Sequence, residues 1–545
     1  MTVPKRSLVT RFTTNSYIVG ALPTLAGLMF GCDLISMSGQ LNNPAYQAKF
    51  KHPSADLQGG IVSSMAAGSF GGSLLTSWLA DKIGRKRCII LSGYLWVVGC
   101  IIQAAANNVE CLVAGRVVGG IAVGIGSSIV TTYQAEITKP ELRGRIVSIQ
   151  QLAITTGEFL QFFVSFGFSY ISSDISFRLP WALQGIPGLV LGTTMIFFPE
   201  SPRWLCDRDR NDEALQILAD VHAKGDTEDE FVQAEFVQIR KQIQFDRTLA
   251  AKSYLDLFKP EARRRTLLGC MTQMFSQLSG NNVMMYYIVY VMEGAGLTGR
   301  RNNLIASGVQ YSLHMIATVP AVIWADKWGR RPMAIYGMLF MSACLFCVGG
   351  IMAAVGQPLT SGGATSSTKW SIVGNDNARN AVIVLSYLFV MVFSFSYGPF
   401  SWIFPSEIHH MRTRGKAVSL ATATNWMFNF ALAFSTPVAF RNIVYKTYFV
   451  YGTFCFCAAT CVFFLFPETK GRTLEEMDDV FNAGHVFSAW RLSSVPKRTV
   501  EQVLGTTDHA ERSSIDGEKQ EMQHIEDASE KQAPHAHTAA AGSHV

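Results

Sequence analysis

Long stretches of this chain carry almost no polar residues, and the lengths of those stretches predict its elements. A helix needs roughly 20 mostly apolar residues to cross a hydrocarbon core, and twelve windows meet that need: 17–38, 58–80, 88–106, 111–133, 146–168, 180–198, 266–292, 303–325, 333–355, 381–404, 416–439 and 445–466. Gly68, Gly71 and Gly72 in the second window, and Gly115, Gly119, Gly120, Gly124 and Gly126 in the fourth, suit close helix packing and not membrane strands. The expected class is therefore all-α and polytopic. Between the sixth and seventh windows Val232, Phe236, Ile239 and Ile243 recur at helical spacing, with Glu235, Arg240 and Lys241 on other faces, which predicts an amphipathic helix.

Composition agrees with this pattern. Apolar residues make up 49% and charged residues 16% of the 545 positions, against about 25% charged in an ordinary soluble protein. The charges crowd into three places, with 3 in residues 1–16, 26 in 200–265 and 22 in 467–545. A soluble multidomain chain and a disordered one are excluded, and a net charge of +6 on so apolar a chain does not indicate nucleic-acid binding. Counting Lys and Arg in the short connections gives 16 on the side of the N-terminus and 8 on the other, so both termini are expected to be cytoplasmic. The opening MTVPKRSLVTRF resembles the start of a signal peptide, but Asp33 and the length of the apolar run make residues 17–38 a span instead. The eleven cysteines, including Cys344 and Cys347, are expected to pack without metal or redox chemistry. No nucleotide loop, metal cluster or nucleophile triad is present, so neither an enzyme nor a cofactor is expected. The region 499–545, free of aromatic residues, is expected to be disordered.

Three motifs occur twice in the same order. Asp81-Lys82-Ile83-Gly84-Arg85 returns as Asp326-Lys327-Trp328-Gly329-Arg330, Glu136 with Arg143-Gly144 returns as Glu407 with Arg414-Gly415, and Pro199-Glu200-Ser201 returns as Pro467-Glu468-Thr469. The offsets are 245, 271 and 268 residues, the difference being taken up by a long connection between the ninth and tenth spans. This predicts a duplication: a cytoplasmic N-terminus (1–16), a six-helix half (17–198), a cytoplasmic helical linker (199–265), a second six-helix half (266–466) and a cytoplasmic tail (467–545). Charges so placed are expected to pair between neighbouring loops and to hold the halves together when that side is shut.

With the two D-K-x-G-R loops, PESPRW at 199–204, PETKGRTLEE at 467–476, QLSGNNVMMYY at 277–287, GPFSW at 398–402 and NWMFN at 425–429, the chain resembles the sugar porter family of the major facilitator superfamily over residues 17–480, most closely its fungal hexose transporters. The resemblance implies alternating access between two halves, and a sugar site built from Gln151, Gln277, Asn282, Asn425 and Asn429 with Trp402 as its aromatic wall. Tyr286 and Tyr287 would cover it from outside. Amides suit a sugar because they both donate to and accept from hydroxyls. Three departures touch the same site. Ser276 precedes Gln277 where relatives often carry a second glutamine, His314 stands where many have Asn, and Glu158 replaces a neutral residue on the face of Gln151.

Asp33 in the first span and Arg116 in the fourth fall at similar depth. Both are costly unless paired, and in proton-coupled sugar porters the matching residues form a pair. The resulting expectation is a proton-coupled hexose symporter, a monomeric unit in the plasma membrane whose partners are a sugar, a proton and the bilayer. A facilitated uniporter, a carrier of a disaccharide, pentose or polyol, and a non-transporting sensor stand as alternatives.

Overall fold

A computed structural model describes residues 15–40, 43–138, 140–249, 254–297, 300–324, 329–358, 370–409 and 413–470, with 477 and 481. Asp326 and the region beyond 481 lie outside the described residues, as does the side chain of Arg143. The expectations made for them stay with the sequence.

Twelve spans follow in order. The first comprises Ser16–Ala21, a tight 3₁₀ turn Leu22–Thr24 and Leu25–Ser36. Spans two to five are the single helices Ala55–Ile83, Arg85–Ala105, Val109–Ile137 and Pro140–Phe168. Span six is Ile175–Leu183 with Ile186–Met195, and span seven is Pro260–Leu278, Asn281–Tyr286 and Ile288–Gly294. Arg300–Trp324 and Arg330–Val355 are spans eight and nine, Asp376–Phe395 with Tyr397–Ile408 is span ten, and Arg414–Asn442 and Lys446–Leu465 close the series. Six of them, the first, third, fourth, ninth, tenth and twelfth, are long and apolar enough on composition alone to cross a membrane. Four of the others, spans five, seven, eight and eleven, carry the buried polar side chains described below. Outward-facing side chains such as Trp78, Ile101, Phe197 and Tyr336 are apolar and exposed, the reverse of a soluble surface.

Proline accounts for two of the helix breaks. A proline cannot donate to the carbonyl four residues back and its ring collides with it. Span ten breaks at Ser396, two residues before Gly398-Pro399, because Phe395 is the residue Pro399 cannot bond; span six breaks after Leu183, four before Pro187. Span seven breaks without a proline at Ser279-Gly280, where Gly280 takes φ +84°.

Close approach organises the first half. Gly68 and Gly72 of span two lie on the backbone of span four, and Gly120 and Gly124 return the contact, as their spacing predicts; Gly71 faces open space. Spans one and five are equally close, and a Cβ on Gly31 would run into the carbonyl of Ile154 and lie 2.9 Å from the Glu158 nitrogen. The halves meet along two seams, span two on span eleven and span five on span eight. These pairings exchange under the duplication, in which spans two and five correspond to eight and eleven.

Between the halves, Pro202–Asp207, Asn211–His222 and Glu230–Leu249 pack a small core of their own. Val232, Phe236 and Ile239 are buried in it and Ile243 lies against it, as the periodicity predicts. His222 ties this core to span four through Ile137 O at 3.2 Å and to Glu235 at 2.8 Å. A two-stranded antiparallel ribbon, Gly356–Pro358 against Trp370–Ile372, is an addition to the all-helical expectation. Cys344 is buried but Cys347 is exposed, so only one of that pair packs inside.

Candidate functional site

Where spans seven and eleven meet, one amide network links four of the expected residues. Gln277 donates to Asn425 Oδ1, and its own Oε1 accepts from Asn282 at 2.8 Å and from Asn429 at 3.2 Å. Tyr286 donates to Asn429 Oδ1 at 3.1 Å. The spacing makes this possible: Asn425 and Asn429 are one turn apart on one helix face, and the break at Gly280 lets Asn282 fold back onto Gln277. Gln273 belongs to the same network although the sequence reading missed it, since Asn425 donates to its Oε1 at 2.6 Å and its Nε2 donates to Ser401 O at 2.8 Å. Its signal was available, one turn before Gln277.

The first half supplies the opposite wall. Trp402 Nε1 donates to Gln151 Oε1 at 3.1 Å, across the two halves. Phe30 of span one stands edge-on to Trp402 and Trp426, at 6.3 and 4.7 Å between ring centroids. Above Tyr286, Tyr287 donates to Ala433 O at 2.7 Å and stacks on Tyr290, which reaches Gln58 of span two at 3.0 Å. Buried amides beside indole and phenyl faces offer what a polyhydroxylated ring requires: paired donors and acceptors with an apolar wall.

Two acid–base pairs flank this cluster. Asp33 and Arg116 are both 1% exposed, with Nη1 3.7 Å from Oδ1. Ser36 bridges them, accepting from Arg116 at 3.0 Å and lying 3.4 Å from Asp33 Oδ1, while Arg116 also donates to Val62 O at 3.3 Å. Among the described residues, Asp33 Oδ2 has no hydrogen-bond partner. The two departures Glu158 and His314, read separately in the sequence, turn out to be partners: His314 Nδ1 lies 2.7 Å from Glu158 Oε2.

The repeated charges form two matching clasps at the end of the bundle where span two passes to span three. Arg85 grips Glu136 with Nε at 3.1 Å and Nη2 at 3.3 Å and reaches Asp81 at 3.5 Å. Glu200 accepts from the backbone nitrogens of Lys86 and Ser201 at 3.0 and 2.9 Å, and the Ser201 hydroxyl donates to Glu136. In the second half Arg330 meets Glu407 at 3.3 Å, Glu468 accepts from Arg330 and Arg331 nitrogens at 2.9 and 3.1 Å, and Thr469 donates to Glu407 at 2.6 Å. Arg414 also sits here, donating to Ser406 O at 2.7 Å. Burial pushes the Glu200 carboxyl up, and the two backbone donors and Arg85 pull it back. The described clasp hydrogen bonds close within each half, and across the halves the Lys416 ammonium of span eleven acts on the Asp81 carboxylate. Closure within a half is topological, because each motif set folds onto the two loops of its own repeat. Ser201 and Thr469 complete the clasps and were missed, although they recur in the repeat.

Gly84 is required for the first clasp. Its φ of 98° and ψ of 162° are open essentially to glycine alone, and a Cβ there would meet the Glu200 carboxylate. Gly84→Ala is expected to lower stability by about 2 kcal/mol, read as a lower thermal midpoint of the purified protein. Gly415→Ala, where an added Cβ meets nothing within 4 Å in a helix, is expected to be neutral or slightly stabilising.

Residues 19–481 match the family model described as "Sugar (and other) transporter". The chain belongs to this sugar transporter family. Among its relatives are a high-affinity glucose transporter of Kluyveromyces lactis, 41% identical over 88% of this chain and 87% of that one, and the MFS glucose transporter mfs1 of Aspergillus flavus, 42% identical over 88% and 91%. Among solved structures, the proton:xylose symporter XylE bound to 6-bromo-6-deoxy-D-glucose superposes with a TM-score of 0.72 at 25% identity, covering 85% of this chain and 98% of that one. The inward-open form of the E. coli xylose transporter superposes with a TM-score of 0.64 at 25% identity, covering 85% and 99%. This sugar transporter, a membrane protein and not an enzyme, therefore has the major facilitator fold of two six-helix halves.

Proposed function

We propose that the protein is a proton-coupled hexose transporter, with glucose as substrate, working by alternating access at the plasma membrane with both termini and the two clasps on the cytoplasmic side. The observation that carries this reading is the amide network of Gln277, Asn282, Asn425 and Asn429 facing Trp402 and Gln151, with a buried Asp33–Arg116 pair alongside. The names of the fungal relatives support glucose, and that of XylE supports the proton. Asp33 Oδ2, unpartnered, is the atom that takes the proton from outside. Neutralised Asp33 releases Arg116 to Ser36 and Val62 O, span one and the short pieces of span seven close over the sugar, and the halves rock to release both inside. Tyr286 and Tyr287 form the outer cover.

Expression in yeast lacking hexose transport tests this reading. Growth on glucose and saturable glucose uptake are expected, with accumulation lost on adding a protonophore. Growth on no hexose would remove the transport assignment, and accumulation unaffected by the protonophore would remove the coupling.

A further inference from the structure

Spans five and eight belong to different halves, and Glu158 and His314 are a contact between them. Their side chains are 2% and 1% exposed and 2.7 Å apart. At that separation one proton lies between Oε2 and Nδ1, which a neutral imidazole with its hydrogen on Nδ1 already supplies to a carboxylate; a further proton, giving imidazolium with carboxylate or imidazole with carboxylic acid, removes the net negative charge that would otherwise be buried. Tyr311, one turn earlier on span eight, lies 3.3 Å from the Ser38 hydroxyl after span one and donates to Met285 O at 2.7 Å. Span eight is thus fastened to the first half at two successive turns. The titratable neighbours are Cys32 and Asp33 of span one, Arg116 of span four, Tyr286 of span seven and Tyr311. Spans six and ten, which also pack on spans five and eight, carry Arg178, held by Ala104 O and Asp174, and Tyr387, which donates to Ala306 O. Asp33 and Arg116 offset each other, which leaves no net charge beside the pair.

We propose that Glu158 and His314 form a second proton-binding site, separate from Asp33 and assembled only when spans five and eight close on one another. Once parted and exposed to cavity water, a glutamate ionises above pH ~4.3 and a histidine loses its proton above pH ~6.5. Closing the seam above pH ~6.5 therefore takes one proton from solvent, and closing it near pH 5.5 takes almost none. The sign follows from linkage: a proton held in the closed state and absent from the open one favours closure as pH falls, by up to about tenfold per unit above pH ~6.5. The inference rests on the alternating-access reading and adds to it a pH-dependent sugar affinity that does not pass through Asp33.

Isothermal titration of glucose into the purified full-length protein at pH 7.5, in two buffers of different ionisation enthalpy, counts protons per glucose whatever the affinity. Wild type is expected to take up about one proton more per glucose than Glu158→Gln, and Glu158→Gln with His314→Asn to match the single variant. Asp33→Asn is expected to retain that extra proton. Equal proton counts in wild type and both Glu158 variants, with glucose heat present, would overturn the second site alone. No glucose heat in wild type would overturn the hexose reading and this inference with it.

Discussion

Asparagine at position 33, placed in a Glu158→Gln background that carries no second proton, is expected to abolish proton movement with sugar while leaving sugar exchange across the membrane measurable. Asp33 is the buried acid whose Oδ2 lacks a partner and whose Oδ1 stands 3.7 Å from Arg116 with Ser36 between them, an arrangement that a bound proton can loosen or restore. Asparagine keeps the size and the hydrogen bonds of the neutral form and cannot lose a proton. With about 100 mV and one pH unit across the membrane, one proton supplies roughly 3.7 kcal/mol, equivalent to about a 500-fold sugar gradient. Vesicles carrying Glu158→Gln alone are expected under such a gradient to concentrate glucose toward that ratio, and those with Asp33→Asn added to stop near equality. A variant that still acidified the vesicle lumen with sugar entry would remove Asp33 from the coupling.

The second large effect is expected at Gln277. Its side chain meets Asn425, Asn282 and Asn429 at once, so alanine there both deletes a sugar-facing amide and strands three others. A buried polar group left without its partner costs about 1–3 kcal/mol, which places the rise in glucose KM at roughly 10- to 100-fold. Glucose uptake against concentration measures it, and Gln277→Asn is expected to recover part of the loss. Unchanged KM in the alanine variant would place the sugar elsewhere.

Much of this was legible before any coordinates. Apolar windows mark spans because the bilayer demands their length. Pro399 lies close to a break because its carbonyl partner is fixed by chemistry, although the break falls at the partner and not at the proline. The Asp33–Arg116 pair follows from their similar depth together with the family resemblance, and the i, i+4 spacing of Asn425 and Asn429 puts them on one face by helix geometry. Other facts depend on which face meets which. Glu158 and His314 are 156 residues apart, and nothing in the spacing of either helix says that those two faces touch. Ser36 and Gln273 were within one turn of recognised residues, but a hydroxyl or an amide in a span has many uses until its neighbour is known. The clasps carried their partners in the repeat, and still the sequence did not reveal whether they close within a half or between halves.

That last distinction has a mechanical consequence. Arg85 with Glu136 and Glu200, and Arg330 with Glu407 and Glu468, stiffen two bodies internally, while across the plane between them Lys416 acts on Asp81. Elastic compliance is then concentrated in the interface and in the helical joints at Gly280 and Ser396, so the bodies turn against each other without spending energy on their own frames. A lever works on the same principle, with rigid arms and a soft fulcrum. Damage to a clasp would be felt as lost transmission, turnover falling more than sugar affinity.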